Sequence, residues 1–175
     1  LDHSYVGTDH YNSIYKLINY LYKRGHRRIA CIQGDSKVSS NSLRVKGYND
    51  FVSYHNLSFS YLDGDNFTAE NGYKCAKNMI ESGLQPSAII AFSDTILLGV
   101  LRALKEHNWK IPLDVSVVSI DNSPYLDFLE VPITSISQPI LAIAEKSSEV
   151  ILNMISSENF ISGSASILLD SIIVE

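Results

Sequence analysis

Cysteine is scarce in this chain: two among 175 residues, Cys31 inside an apolar run and Cys75 within a helical pattern. They form neither a close pair nor a metal-binding spacing. Two buried free thiols in a reducing compartment are the simplest account, with a single long-range disulfide as the alternative. The five histidines are not spaced as a ligand set either, so no metal is expected. No run of eighteen apolar residues occurs, which excludes a helical membrane span. The chain opens on Leu1-Asp2-His3, without a methionine, a basic segment or an apolar targeting run. It is expected to be an internal piece of something longer.

Catalytic signatures are equally thin. Gly34-Asp35-Ser36 lacks the glycine spacing and the lysine of a phosphate-binding loop. No Gly-x-Gly-x-x-Gly follows an apolar run, no Gly-x-Ser-x-Gly elbow is present, and nothing sets serine, histidine and aspartate out as a triad. No enzyme and no cofactor are therefore expected. The net charge of −5 gives a surface that does not attract a phosphate backbone over its whole area. Lys23, Arg24, His26, Arg27 and Arg28 make one basic cluster, and its better reading is a helix C-terminus followed by a solvated turn.

What is present is a folded composition, 45% apolar and 19% charged, in a chain long enough for one good core. Short apolar runs alternate with stretches of helical period. Ile14, Leu17, Ile18 and Leu21 predict a helix over 9–24, capped by Thr8 or Asp9 and stopped at Gly25. Further helices are expected over 42–54, 68–81, 94–107 and, from Pro139, 139–156. Strands are expected over 28–33, 59–62, 87–92, 115–120, 133–137, 166–169 and 172–174, with a short helical or irregular stretch over 124–130. Runs such as Ala88-Ile89-Ile90-Ala91-Phe92 are apolar throughout, as parallel strands covered on both faces are. The alternation implies an α/β fold with a mostly parallel sheet and helices on both faces.

Two helices carry more apolar surface than a peripheral position explains. In the 94–107 helix, Ile96, Leu97, Val100, Leu101 and Leu104 leave little polar face, and Gly99 permits a close backbone approach. A subunit interface is the favoured reading, and cover by the chain's own loops or terminal segment is the alternative. The last helix, with Ile140, Ile143, Ala144, Ile151, Met154 and Ile155, also needs cover. It is expected to rest on a neighbouring chain, on residues outside this sequence, or on its own core.

Ligands of an open parallel sheet collect beyond the C-terminal strand ends. Polar residues stand there after three of the expected strands: Asp35 and 39–44, then Ser93 and Asp94, then Asp121 and Asn122. Such short hydroxyls and carboxylates, with the rigid fork of Arg44 nearby, outline a site for a small polar molecule such as a sugar or a nucleobase. Each residue has a plainer role too. Asp94 or Ser93 can cap the helix that follows. Phe67 can stack on a ligand or fold into the local core.

Several fragments are also familiar in their order. They are Gly7-Thr8-Asp9-His10-Tyr11, Arg24-Gly25-His26-Arg27-Arg28-Ile29-Ala30, Leu43-Arg44-Val45-Lys46-Gly47-Tyr48, Gly64-Asp65-Asn66-Phe67, Pro86-Ser87-Ala88-Ile89, Ser93-Asp94 with Leu98-Gly99, Ile111-Pro112-Leu113-Asp114-Val115, Pro132-Ile133-Thr134-Ser135-Ile136 and Gln138-Pro139. With this ordered set the chain resembles the lactose/galactose-repressor family of bacterial transcription regulators. The resemblance implies a periplasmic-binding-protein-like fold of two lobes around an effector cleft, preceded by a helix-turn-helix head and a hinge. Residues 1–135 would form the C-terminal lobe, 136–168 would visit the N-terminal lobe, and 169–175 would return.

By the same resemblance Arg44 and Asp121 match effector contacts, and Phe67 matches an aromatic position that often stacks on the ligand. Ser93 stands where an asparagine is usual, which shortens the side chain and makes room for a bulkier effector. Ser119 stands where glycine is common. The implied partners are a sugar or nucleobase-like effector, a second copy of the chain, and operator DNA reached only through the head. The implied setting is cytoplasmic, with no membrane contact. The implied mechanism is a population shift in which effector changes the angle between lobes. The nearest rival is a sugar-binding protein of a transport system. A small enzyme using the strand-end aspartates and a dimerising domain without a ligand are the others.

Overall fold

The computed structural model describes residues 4–156 and 166–175. Its centre is a six-stranded sheet of β2 (Ile29–Ile32), β3 (Tyr61–Asp63), β4 (Ala88–Ala91), β5 (Ser116–Ile120), β6 (Thr134–Ser137) and β8 (Ile172–Val174). Their order in space is β3-β2-β4-β5-β6-β8. The first five are mutually parallel, and β8 seals the β6 edge as the one antiparallel member. The mostly parallel α/β fold is thus as the residue pattern predicts. β2 and β4 are buried along their whole length, which is why they read as unbroken apolar runs rather than alternating ones.

Four helices sheathe this sheet: α1 (His10–Lys23), α2 (Ser39–Tyr54), α3 (Ala69–Glu81) and α4 (Asp94–Glu106). α1 packs with α2, and α3 packs with α4. Right-handed crossovers account for the pairing. The chain steps one way from β2 to β3 and the other way from β3 through β4 to β5, so the connecting helices fall on opposite faces. The α1 stripe of Ile14, Leu17, Ile18 and Leu21 is buried as its spacing requires. Asp9 caps that helix through the Asn12 amide, and Thr68 caps α3 through the Asn71 amide. The buried Tyr48 of α2 donates its hydroxyl to the Ile29 carbonyl and accepts from the Tyr61 amide, which fixes α2 over β2 and β3.

Three elements leave this core. β1 (Tyr5–Thr8) pairs in parallel with β7 (Ser166–Leu169) in a separate two-stranded sheet, and α5 (Ile140–Ser156) lies along β1. β1 has no counterpart among the expected strands: four residues containing a glycine give too short an alternation to register. α5 buries none of its residues, and Ile140, Leu141, Ile151, Leu152, Met154 and Ile155 are all exposed. The possibility that α5 rests on the chain's own core is therefore ruled out. Part of the expected 136–168 excursion, residues 157–165, lies outside the described residues.

The excess apolar surface of the fourth helix also needs correction. Ile96, Leu97, Val100 and Leu104 are buried within this chain, and Leu101 is half-buried. The four buried ones are core and present no surface to a partner, whereas Leu101 keeps part of its surface. The close approach at Gly99 is to α3: an added Cβ would stand 1.8 Å from the Ala69 carbonyl oxygen. Gly72 of α3 meets the Ile96 carbonyl in the same way. Two opposed glycines bring the helix backbones together and drive both apolar stripes into the sheet. Of the α4 residues, Leu98 is the large apolar one left exposed.

Both thiols are buried and free. Burial pushes the Cys31 thiol well up, and burial beside Asp63 pushes Cys75 to about 12. The basic cluster is held locally: Arg24 pairs with Glu175, Arg27 lies over the Tyr22 ring, and Arg28 donates to the Gln85 carbonyl.

Candidate functional site

The sheet order reverses between β2 and β4, the point beyond whose C-terminal ends ligands of an open parallel sheet collect. Arg44 comes from α2, just after β2, and reaches across to the exit of β4. It is 4% exposed. One terminal nitrogen donates to the carbonyl of Phe92, at the exit of β4, over 2.6 Å. The other lies 3.3 Å from Nδ1 of His10, the first residue of α1. Its Nε is buried without a hydrogen-bond partner. Burial lowers the guanidinium below its ordinary value, and the nearby Asp121 carboxylate opposes that effect.

Asp121 follows β5 directly, in a left-handed backbone conformation, φ 75°, that few non-glycine residues adopt. Its carboxylate accepts from Nε2 of Gln138, and Oε1 of Gln138 accepts from the Thr8 hydroxyl at 2.7 Å. Arg44 and Asp121 are therefore brought together at one strand-end rim, along with three residues that the strand-end pattern does not single out: His10, Thr8 and Gln138. His10 and Thr8 precede the first expected strand, and Gln138 looks like an ordinary polar residue before a helix. The signal that could have found them is their position at chain reversals beside the sheet, which only the topology reveals.

Ser93 is buried and caps α4, its oxygen accepting from the Ile96 amide at 3.1 Å. The capping role thus falls to Ser93 and not to Asp94, whose carboxylate accepts from Ser123. Ser119 is buried, with its hydroxyl turned back to the Ile120 carbonyl. Phe67 is half-buried, and its ring lies on Gly34, leaving no room there for a Cβ. The rim around it is stitched by two buried asparagines. Asn41 accepts from the Gly34 amide, and Asn71 donates to the Gln33 and Asn66 carbonyls. These bonds hold the β2 and β3 exits in place.

His10 is half-buried beside a cation, and desolvation followed by Arg44 lowers its imidazole from 6.5 to about 4. It is neutral at pH 7 and accepts from the guanidinium. Between pH 6.5 and about 4 the unfolded chain binds a proton here that the folded chain does not. The stability present above pH 6.5 is withdrawn over that window. Its size is about 1 kcal/mol once the half-exposed position is discounted. A His10→Gln variant, which keeps an acceptor for Arg44, is expected to lose less stability than the parent between pH 7 and 4. Parallel melting curves for both proteins would reject this if the two fell equally.

A model of the periplasmic binding protein-like domain matches residues 18–173. The chain belongs to that family. It is 29% identical over 161 residues to the HTH-type transcriptional repressor CytR of Escherichia coli K12, covering 91% of this chain and 47% of that protein. It is 30% identical over 144 residues to the HTH-type transcriptional repressor PurR of Vibrio campbellii, covering 81% of this chain and 43% of that one. Among solved structures, a transcriptional regulator CelR–cellobiose complex superposes with a TM-score of 0.88 at 25% identity, covering 99% of this chain and 53% of that one. Beyond that domain family, the chain is similar to part of lactose/galactose-repressor-type regulators. It spans about half the length of the curated relatives it matches.

Proposed function

We propose that this chain is the effector-sensing part of a DNA-binding transcriptional regulator, and that Arg44 and Asp121 hold a small polar molecule between two lobes. One observation carries the reading. A buried guanidinium and a carboxylate converge at the reversal of strand order, beside the places where the chain leaves and re-enters the sheet. Arg44 supplies the charge-assisted donors and Asp121 the acceptor that a ring hydroxyl or a nucleobase edge needs. Ser93 and Phe67 flank them at the β4 and β3 exits. The cellobiose complex of the CelR relative supports a sugar-like occupant.

Residues 1–135 then form most of one lobe, 136–168 belong to a second, and 169–175 return to the first. The side-by-side crossings at Thr8, Gln138 and Leu169 support this division. The bare apolar face of α5 is covered by the rest of the second lobe, carried elsewhere in a longer polypeptide. Such a domain does no chemistry. Effector shifts the population between lobe angles, and a DNA-binding head outside this sequence reads the shift. Two copies pair through apolar residues still accessible at α4 and the adjacent 3-10 turn (Pro124–Phe128), chiefly Leu98 and Phe128.

Calorimetric titration of a panel of sugars and nucleosides into the intact polypeptide, and into residues 1–175 alone, tests the reading. Micromolar binding to the intact protein and at least about tenfold weaker binding to the fragment are expected, since half of the cleft contacts are missing. Equal binding by both would overturn the two-lobe site.

A further inference from the structure

We propose that Gln138 is a positioning residue that couples the cleft carboxylate Asp121 to the crossings between lobes. The inference rests on the reading of Asp121 as a ligand contact, but its geometry stands by itself. Gln138 is the residue at which the chain leaves β6 for α5. Its amide is used at both ends: Nε2 donates to Asp121 at the exit of β5, and Oε1 accepts from Thr8, the last residue of β1. One planar group therefore spans two elements that no backbone ladder joins.

The Thr8 end continues into the third crossing. The Asp9 amide donates to the Leu169 carbonyl at 3.0 Å, and Thr8 and Leu169 are partners in the β1–β7 register. Ser13 in the first turn of α1 donates to the Asp9 carbonyl and bonds the buried Ser171, where β7 turns toward β8. All three places where the chain passes between the small sheet and the large one are thus tied together. The side chain of this network that bonds Asp121 is Gln138.

The device follows from hydrogen-bond capacity. Asp121 sits in a left-handed conformation and its carboxylate is aimed by Gln138. A ligand that donates to Oδ1 of Asp121 competes with the Gln138 amide for that oxygen. When Gln138 is displaced, its hold on Thr8 changes, and the crossing it steadies becomes easier to move. Occupancy of the cleft is in this way converted into a change at the hinge, without any contact between ligand and crossing.

A charge swap tests this without any ligand, so failure here is separable from failure of the proposed effector site. Gln138→Glu sets a second carboxylate against Asp121 and is expected to speed amide hydrogen exchange at Asp9 about tenfold, with exchange at Ile90 in the core unchanged. Combining it with Asp121→Asn restores an amide-to-carboxylate bond in the reverse sense, leaving Thr8 an acceptor. Exchange at Asp9 should then return to within about twofold of the parent. Unaltered exchange at Asp9 in Gln138→Glu would overturn the coupling. Acceleration that Asp121→Asn does not reverse would show a general loosening instead of a paired interaction, and would overturn it equally. Rises at Asp9 and Ile90 together would mean that the substitution merely destabilises the fold, which again defeats the proposal.

Discussion

Arg44→Met in the intact protein is expected to weaken effector binding at least about a hundredfold while leaving the melting temperature nearly unchanged. Two charge-assisted hydrogen bonds to a ligand, at about 1.5–3 kcal/mol each, account for the loss. The stability effect has a separate cause. Arg44 is a buried cation satisfied by one backbone carbonyl and a neutral imidazole, with its Nε left unpaired. Desolvating such a group is expensive, and a methionine of similar length removes that penalty while filling much the same space. The Phe92 carbonyl and His10 lose a donor, which offsets part of the gain. Affinity and stability should therefore separate. Calorimetry and melting curves on the same two proteins measure both, and a collapse of the melting temperature would mean that Arg44 serves the core first.

The second large effect concerns the fold. Gly99→Val is expected to destabilise the domain by more than about 3 kcal/mol, enough to leave much of it unfolded at 37 °C. The obstacle is backbone: a Cβ at residue 99 meets the Ala69 carbonyl oxygen at 1.8 Å and the Tyr73 amide nitrogen at 2.5 Å, and neither can swing aside. α4 would have to lift off α3, opening gaps around Ile96, Leu97 and Val100, which are fully buried. Gly25→Ala is the matching control. Gly25 has φ +95° but open space around it, so only the backbone preference is lost, about 1 kcal/mol. Urea denaturation of the two variants should separate them widely. Similar midpoints would mean that the two-glycine contact does not hold α3 and α4 together.

How far the sequence announces this molecule depends on the range of the interaction involved. The buried strands and the α1 stripe are local patterns with a clear period, and they lie where the residues place them, with ends moved by at most one position. α2 begins three residues earlier than the apolar pattern indicates because its first turn, from Ser39, is polar and stands at the rim. The strand-end rule brings out Arg44 and Asp121 because it needs only a strand and its direction. It misses His10, Thr8 and Gln138, which act through contacts between elements far apart along the chain. α4 misleads for a related reason. A helix apolar around most of its circumference is read as an interface when the neighbour that covers it, here α3, is not recognised as packing so close at Gly99 that it leaves no room for a Cβ. The family likeness supplies what local chemistry cannot: the order of the fragments already implies crossings between lobes.

The antiparallel β8 has a consequence for how such a chain is made. The ribosome delivers residues in order, and β6 is complete at Ser137, whereas the strand that covers its outer edge arrives only at Ile172. In the interval the polypeptide must build α5 and β7 while the backbone amides and carbonyls of β6 stay open to any passing strand. Closure of the sheet is thus deferred to its final segment, and a nascent or prematurely stopped product carries a sticky border that the finished one conceals.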